Sequence, residues 1–236
     1  MSTSGTTTWK LNRDELISAA LRKLGVLSGG STPETYQITD ATQALNALVK
    51  SLQTDGMPLW AIKSYTFTTV VGDPDYPIGV GQLYNTAKPL KIFQAWRNQS
   101  TNYSNVPMNV YTNYNYDLLP LVNSSGTPVN LYYQPFKDYG MINLWPKPSD
   151  ATTTITIRYQ APFEDMTSST DDLDFPPEWT EAVIYLLASR LAPEYGIPLM
   201  DRQLLKKEAD ELHATAMMFG TEEGSFFFQP DTAGQK

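Results

Sequence analysis

Two kinds of hydrophobic spacing divide this 236-residue chain, and their order limits what it can fold into. Before residue 63 and after residue 162, apolar residues recur every three or four positions, as on one face of a helix. Residues 63–162 instead carry strand-like alternation and turn residues. Because short helical segments are marginal alone, we predict an α+β fold. Residues 1–62 and 163–220 would form one helical domain, with an antiparallel β domain, residues 63–162, inserted into it.

The first helical half is predicted to contain two helices. Asn12 and Glu15 have the spacing of a capping box, so the first helix begins at Asn12. The second helix is expected to begin near Asp40, with Gln43 as its box partner, and to end at Gly56. The apolar face of this second helix consists of Leu45, Leu48, Val49 and Leu52.

Residues 63–162 are predicted to form strands joined by turns. Residues 129–133 and 141–145 flank a turn region and predict a hairpin, and residues 152–159 alternate regularly between apolar and polar side chains. Residues 98–130 show little periodicity and are expected to form a long loop or irregular strands. We therefore predict an antiparallel sheet or a small sandwich.

Two more helices follow residue 163 and complete an antiparallel bundle of about four helices. Pro176 and Pro177 suit the first turn of a third helix that is apolar around most of its circumference. Pro198 opens a fourth helix, and Gly220 ends it. The apolar positions of these helices offer surface to neighbouring subunits. The candidates for a subunit interface are Val183, Leu187, Leu191, Leu205, Leu212 and Phe219.

Residues 221–236 are predicted to form an extended C-terminal tail. The tail carries three consecutive aromatic residues, Phe226, Phe227 and Phe228. Burying each of these rings is worth roughly 1.5–3 kcal/mol relative to water. Aromatic side chains are common anchors at protein interfaces, so we expect them to insert into a partner, although packing against the same chain is an alternative.

Composition excludes several classes of protein. The chain has no cysteine and a single histidine, so disulfides, thiol catalysis and histidine-cluster metal sites are excluded within one chain. No apolar run is long enough to cross a membrane. The net charge is −8 and is uneven, because residues 163–236 carry five basic and fifteen acidic side chains, a net charge of −10. Such a segment disfavours binding to nucleic-acid phosphates.

No pattern in the sequence predicts a catalytic, cofactor or metal site. His213 lies on the predicted fourth helix without a recognisable acid and nucleophile around it. The acidic residues between 164 and 174 lack the spacing of an EF-hand, and we interpret them as a solvated linker that precedes the third helix. Their use as a glycosidase carboxylate pair stays an alternative, because a sequence does not reveal the separation between two carboxylates.

Four segments resemble the helices of head-to-tail adaptor proteins of short-tailed bacteriophages. These are residues 15–25, 44–60, 175–183 and 187–196, and residues 143–148 match more loosely. The resemblance rests on the order and spacing of the segments.

The resemblance implies a closed ring of about twelve copies, which needs a heterologous interface between neighbours. In that family the ring docks beneath the portal protein of a DNA-filled capsid, extends the DNA channel and receives the tail nozzle protein. DNA passes through without sequence-specific binding, and no cofactor, membrane or enzymatic activity is implied. The implied location is the head–tail junction of the virion, after assembly in the bacterial cytoplasm.

Within that resemblance, the C-terminal segment reaches into the portal, and Phe226, Phe227 and Phe228 suit the role of anchors there. Acidic side chains from residues 163–236 are expected to face the channel and repel DNA. Two other functions stay open. One is a carbohydrate- or receptor-binding tail module that uses tyrosines of the β insertion, such as Tyr111, Tyr114 and Tyr116. The other is a peptidoglycan-degrading virion enzyme.

Overall fold

The computed structural model describes residue 5 and residues 9–54, 59–98, 105–120 and 123–220. These residues form an α+β fold with five α-helices and a curled seven-stranded mixed sheet that resembles half a barrel. The helices are α1 (Arg13–Lys23), α2 (Thr35–Leu52), α3 (Asn113–Asp117), α4 (Thr180–Leu191) and α5 (Leu199–Phe219). Two short 3-10 helices, Leu59–Ala61 and Pro177–Trp179, precede the sheet and α4 respectively.

The strands are β1 (Ile62–Thr68), β2 (Asp75–Ile78), β3 (Lys91–Asn98), β4 (Val106–Tyr111), β5 (Ser125–Gly126), β6 (Asn130–Pro135), β7 (Gly140–Trp145), β8 (Lys147–Pro148) and β9 (Thr154–Gln160). The large sheet has the order β1-β9-β3-β4-β6-β7-β2, and β5 pairs with β8 in a separate two-stranded ribbon.

Local signals place the first helix correctly and the second one too late. Asn12 caps α1, and the capping box with Glu15 is present, as predicted. The predicted start of α2 at Asp40 is wrong, because the helix begins at Thr35 and its capping box joins Glu34 to Gln37. Glutamate is an unusual residue at the cap, and the sequence pattern therefore directed the prediction to the next standard cap.

The prediction of a purely antiparallel sheet is also wrong. β4 and β6 are parallel, with Asn109 opposite Asn130 and Tyr111 opposite Tyr132. Parallel neighbours need a long crossover, and residues 112–129, which include α3, provide it. Residues 98–130, expected to be loop or irregular strand, thus contain β4, α3 and β5. The predicted β6–β7 hairpin is confirmed, with Asn130 opposite Trp145 and Pro135 opposite Gly140.

α4 is the central helix of the helical part, since it packs against α1, α2 and α5. The apolar face predicted for α2 and the apolar residues of α4 share one hydrophobic cluster. An antiparallel bundle of about four helices, which the sequence predicted, is not clearly defined. Five helices with a mixed half-barrel sheet describe this fold better.

A second hydrophobic cluster is formed by the buried residues of the sheet. It is built from alternate strand residues, among them Ile78, Leu131, Ile142, Ile155 and Ile157, which are fully buried. Tyr84 contacts both edge strands of the curled sheet. Its ring centroid lies 4.9 Å from that of Phe67 on β1 and 5.9 Å from that of Tyr76 on β2. Division of the chain into separate domains at residues 62 and 162 stays a prediction.

The two ends of the sheet segment meet, as insertion into a single helical domain requires. Ile62 pairs with Gln160, and the Ala161 N–H donates to the Ala61 carbonyl at 3.0 Å. The Gln160 side-chain amide also donates to the carbonyl of Gln53, just after α2, at 3.1 Å. The sheet is therefore attached to the helical part through one close pair of strands.

Candidate assembly surface

The long helix α5 exposes large apolar side chains at both ends. Its inner side packs against the helical cluster through Leu205, Leu212, Ala216 and Met217. We call the exposed remainder of the helix the α5 outer surface. It carries Leu199, Met200, Leu204, Met218 and Phe219, each between 58% and 77% exposed. Exposed apolar side chains grouped on one element are typical of sites that bind other proteins.

The centre of the α5 outer surface is charged. Lys207 and Glu211 lie one helical turn apart, with 3.7 Å between the ammonium nitrogen and a carboxylate oxygen. Both side chains are exposed, so this pair adds little to stability. Met200 and Met218 are eighteen positions apart, which is five helical turns and a distance of about 27 Å along the same face. The surface thus has two apolar ends and a polar centre.

The structure separates the predicted interface residues into three groups. Val183, Leu187 and Leu191 on α4 are fully buried within this chain's own core. Leu205 and Leu212 are partly buried against the same core. Phe219 is the one candidate of the six that is largely exposed, with 77% of its surface accessible to solvent. A subunit contact is therefore proposed below for Phe219 and not for the three α4 residues, whose apolar surface is already used.

The predicted anchors Phe226, Phe227 and Phe228 lie outside the described residues. Sequence reasoning missed Leu199, Met200, Leu204 and Met218 as surface residues. The sequence predicts an apolar seam on this helix, but apolar residues beside the seam have the same character as core residues, and nothing local shows that they stay exposed.

The acidic segment before α4 has a structural role at the start of α1. Asp171 accepts hydrogen bonds from the backbone N–H groups of Ser168 and Thr167 at 2.6 and 2.7 Å, and these bonds hold the pKa of Asp171 below its usual range. The Asp171 carbonyl in turn accepts the Arg13 N–H at 2.9 Å. Asp165 pairs with Lys50 at 2.7 Å. The Asp171 side chain thus orders its own turn, its backbone carbonyl attaches the segment to α1, and the Asp165 side chain attaches it to α2.

Within the part of the chain that the structure describes, no side chains are arranged in a way that suits catalysis or metal binding. Those residues contain no group of three or more potential ligands that could hold a metal ion. The His213 ring packs edge-on against Trp179, with 5.7 Å between centroids. Its buried Nε2 has no hydrogen-bond partner there. Tyr116 of the proposed tyrosine platform stacks on Tyr132 at 5.2 Å, while Tyr114 is 72% exposed.

Among the described residues, no helix is both long and apolar enough to cross a membrane. An exposed apolar helix surface and a carboxylate-rich segment used for internal contacts are features of a structural protein that binds other proteins. Residues 11–221 match the family model of the SU10 adaptor protein. The chain belongs to the SU10 adaptor protein family and is a phage adaptor protein, as its resemblance to head-to-tail adaptors predicted. Family membership implies a structural, non-enzymatic protein that binds virion components. A comparison with curated proteins found no match.

Proposed function

We propose that the protein forms an oligomeric adaptor ring at the head–tail junction of the virion. The ring joins the portal protein to the tail nozzle protein and extends the DNA channel. Membership of a phage adaptor family supports the structural role. The observation that carries the ring itself is the α5 outer surface, with its two exposed apolar ends.

The α5 outer surface suits a contact between copies. Burying one large apolar side chain yields about 1.5–3 kcal/mol, and association must offset lost rotational and translational freedom of about 4–15 kcal/mol. The exposed apolar side chains at the two ends of α5 together provide several such side chains for one contact between copies. A ring of about twelve copies repeats this contact around a closed circle.

Charge supports passage of DNA without sequence-specific binding. Residues 163–236 carry a net charge of −10. In the described part of that segment, ion pairs involve two carboxylates, Asp165 and Glu211. Unpaired acidic side chains repel the phosphate backbone. We propose that part of this acidic surface lines the channel.

The ring contact can be tested by a charge placed on the α5 outer surface. Leu204→Asp should prevent ring formation, because it puts a carboxylate into an apolar contact. Thr39→Asp is the matched control, since Thr39 is exposed on α2, outside the α5 outer surface, and the added charge is the same. Light scattering and negative-stain microscopy of the full-length protein, alone and with its portal protein, would measure assembly. Rings from Leu204→Asp at the wild-type concentration would contradict the role of α5.

The portal contact requires a separate test. We propose that Phe226, Phe227 and Phe228 insert into the portal protein, where three aromatic rings would serve as anchors. Deletion of residues 221–236 should abolish co-sedimentation with portal particles, while the far-UV circular dichroism spectrum stays that of a folded protein. Docking at wild-type affinity after the deletion would refute this part of the proposal. An unassembled protein that ignores the portal altogether would refute the adaptor-ring proposal as a whole.

A further inference from the structure

A groove opens in the sheet where β3 and β4 diverge. The two strands pair only from Ala95 opposite Met108 to Arg97 opposite Val106. From Asn109 onward, β4 pairs with β6 instead. The divergence leaves a groove of about 730 Å³. We call it the β3–β4 groove, and its walls include Phe93, Gln94, Trp96, Asn109, Val110 and Arg158.

The β3–β4 groove is aromatic and positively charged. The Arg158 guanidinium lies 5.9 Å from the centre of the Trp96 ring, and the Lys91 ammonium lies 5.5 Å from the centre of the neighbouring Phe93 ring. Neither cation forms an ion pair with any residue that the structure describes. The described lining contains no carboxylate. A ligand with aromatic rings and negative charge would complement both properties.

The C-terminal segment of the chain has this chemistry. Residues 221–236 contain Phe226, Phe227 and Phe228, with Glu222 and Glu223 before them. An unaccompanied run of three phenylalanines would be costly to expose in water before any partner is present. The segment therefore gains from a binding place on the protein itself.

The C-terminal half of α5, which ends at Gly220, lies beside the residues that join the helical part to the sheet. His213, two turns before that end, contacts Trp179, and Trp179 contacts Trp60 with 5.9 Å between ring centroids. β1 begins at Ile62, so the second half of α5 packs near the root of the sheet. An extended chain of the length of residues 221–228, which ends with the three phenylalanines, spans about 26 Å from Gly220. The longest strand of the sheet, β3, measures about 26 Å.

We propose that the β3–β4 groove holds the chain's own C-terminal segment, residues 221–236, before the protein meets other virion components. The phenylalanines would lie against Trp96 and Phe93, and the glutamates near Arg158 and Lys91. This inference does not depend on the portal contact proposed above, because it concerns the isolated chain.

Disulfide trapping tests the proposal in the full-length protein, which has no cysteine of its own. One cysteine pair combines Asn109→Cys in the groove with Ser225→Cys next to Phe226. The control pair combines Thr39→Cys with the same Ser225→Cys, since Thr39 is exposed on α2. Mild oxidation of the dilute protein would be followed by mass spectrometry and non-reducing electrophoresis.

We expect the groove pair to form an intramolecular disulfide about tenfold faster than the control pair, because binding raises the local concentration of the segment. Adding Arg158→Glu should remove this advantage, whereas Arg158→Lys should largely keep it. Equal rates for the two pairs would overturn the proposal. Disulfide-linked dimers without the intramolecular product would also overturn it and assign the groove to a second copy. Since no portal protein is present, neither result bears on the portal proposal.

Discussion

Trp60 lies at the connection between the helical part and the sheet, and its truncation gives the most informative test of how the two are joined. The residue belongs to the short 3-10 helix between α2 and β1. Its ring stacks on Phe163 with 5.0 Å between centroids and contacts Phe175 and Trp179 at 5.0 and 5.9 Å. Trp60 lies just before the first strand of the sheet, and Phe163 follows the last one. This aromatic cluster therefore holds together the two chain segments that connect the helical part to the sheet.

Trp60→Ala should lower the free energy of unfolding by about 3 kcal/mol. Core replacements of tryptophan by alanine cost about 3–5 kcal/mol. Trp60 is only partly buried, which favours the lower end of that range. Since whole domains are stable by about 5–15 kcal/mol, the loss would be large and easily measured.

Trp60→Phe is the matched control. It keeps a ring against Phe163 and removes the buried indole Nε1, which has no hydrogen-bond partner within the described residues. We therefore expect a loss below about 1.5 kcal/mol, as for swaps that largely conserve apolar volume. Urea unfolding followed by far-UV circular dichroism would give both values. An alanine variant within about 1 kcal/mol of the wild type, or equal losses for the two variants, would refute the role assigned to this cluster.

Three further changes test local contacts by the same unfolding measurement. Gly140→Ala should cost about 1–3 kcal/mol, because the new Cβ would lie 2.7 Å from Cζ of the Tyr133 ring; Gly29→Ala, with open space around it, should be nearly neutral. Asn12→Ala should cost about 1 kcal/mol through loss of the α1 cap, and a negligible loss would contradict that role. Asp171→Asn should reduce stability at neutral pH. Because the folded-state pKa of Asp171 is lowered, its contribution is present above the unfolded pKa of about 3.9 and disappears as pH falls through the folded pKa. A variant deficit that does not shrink as the pH falls below the unfolded pKa of about 3.9 would contradict this linkage.

Contacts between near neighbours in the chain were predictable. The α1 capping box joins residues three positions apart, so Asn12 and Glu15 identify it without any tertiary information. The β6–β7 hairpin joins strands that follow each other along the chain. The start of α2 was missed because Glu34, rather than a common cap residue, forms the box there.

The candidate site was less predictable. Val183 and Leu187 have the apolar character of interface residues, but they are buried in the hydrophobic core of this chain. Leu204 and Met200 have similar character and are exposed. Hydrophobic spacing shows that a helix has an apolar face, but not which neighbour covers it.

The sequence by itself determined the order of helical and strand-rich segments, the concentration of acidic residues after residue 162 and the family resemblance. These properties depend on residue type and spacing along the chain. Only the tertiary structure decided that β4 leaves β3 for β6, which opens the groove, and that Val183 and Leu187 are buried while Met200 and Leu204 stay exposed. Strand partners and burial depend on which distant segments meet, and that information does not reside in any single stretch of sequence.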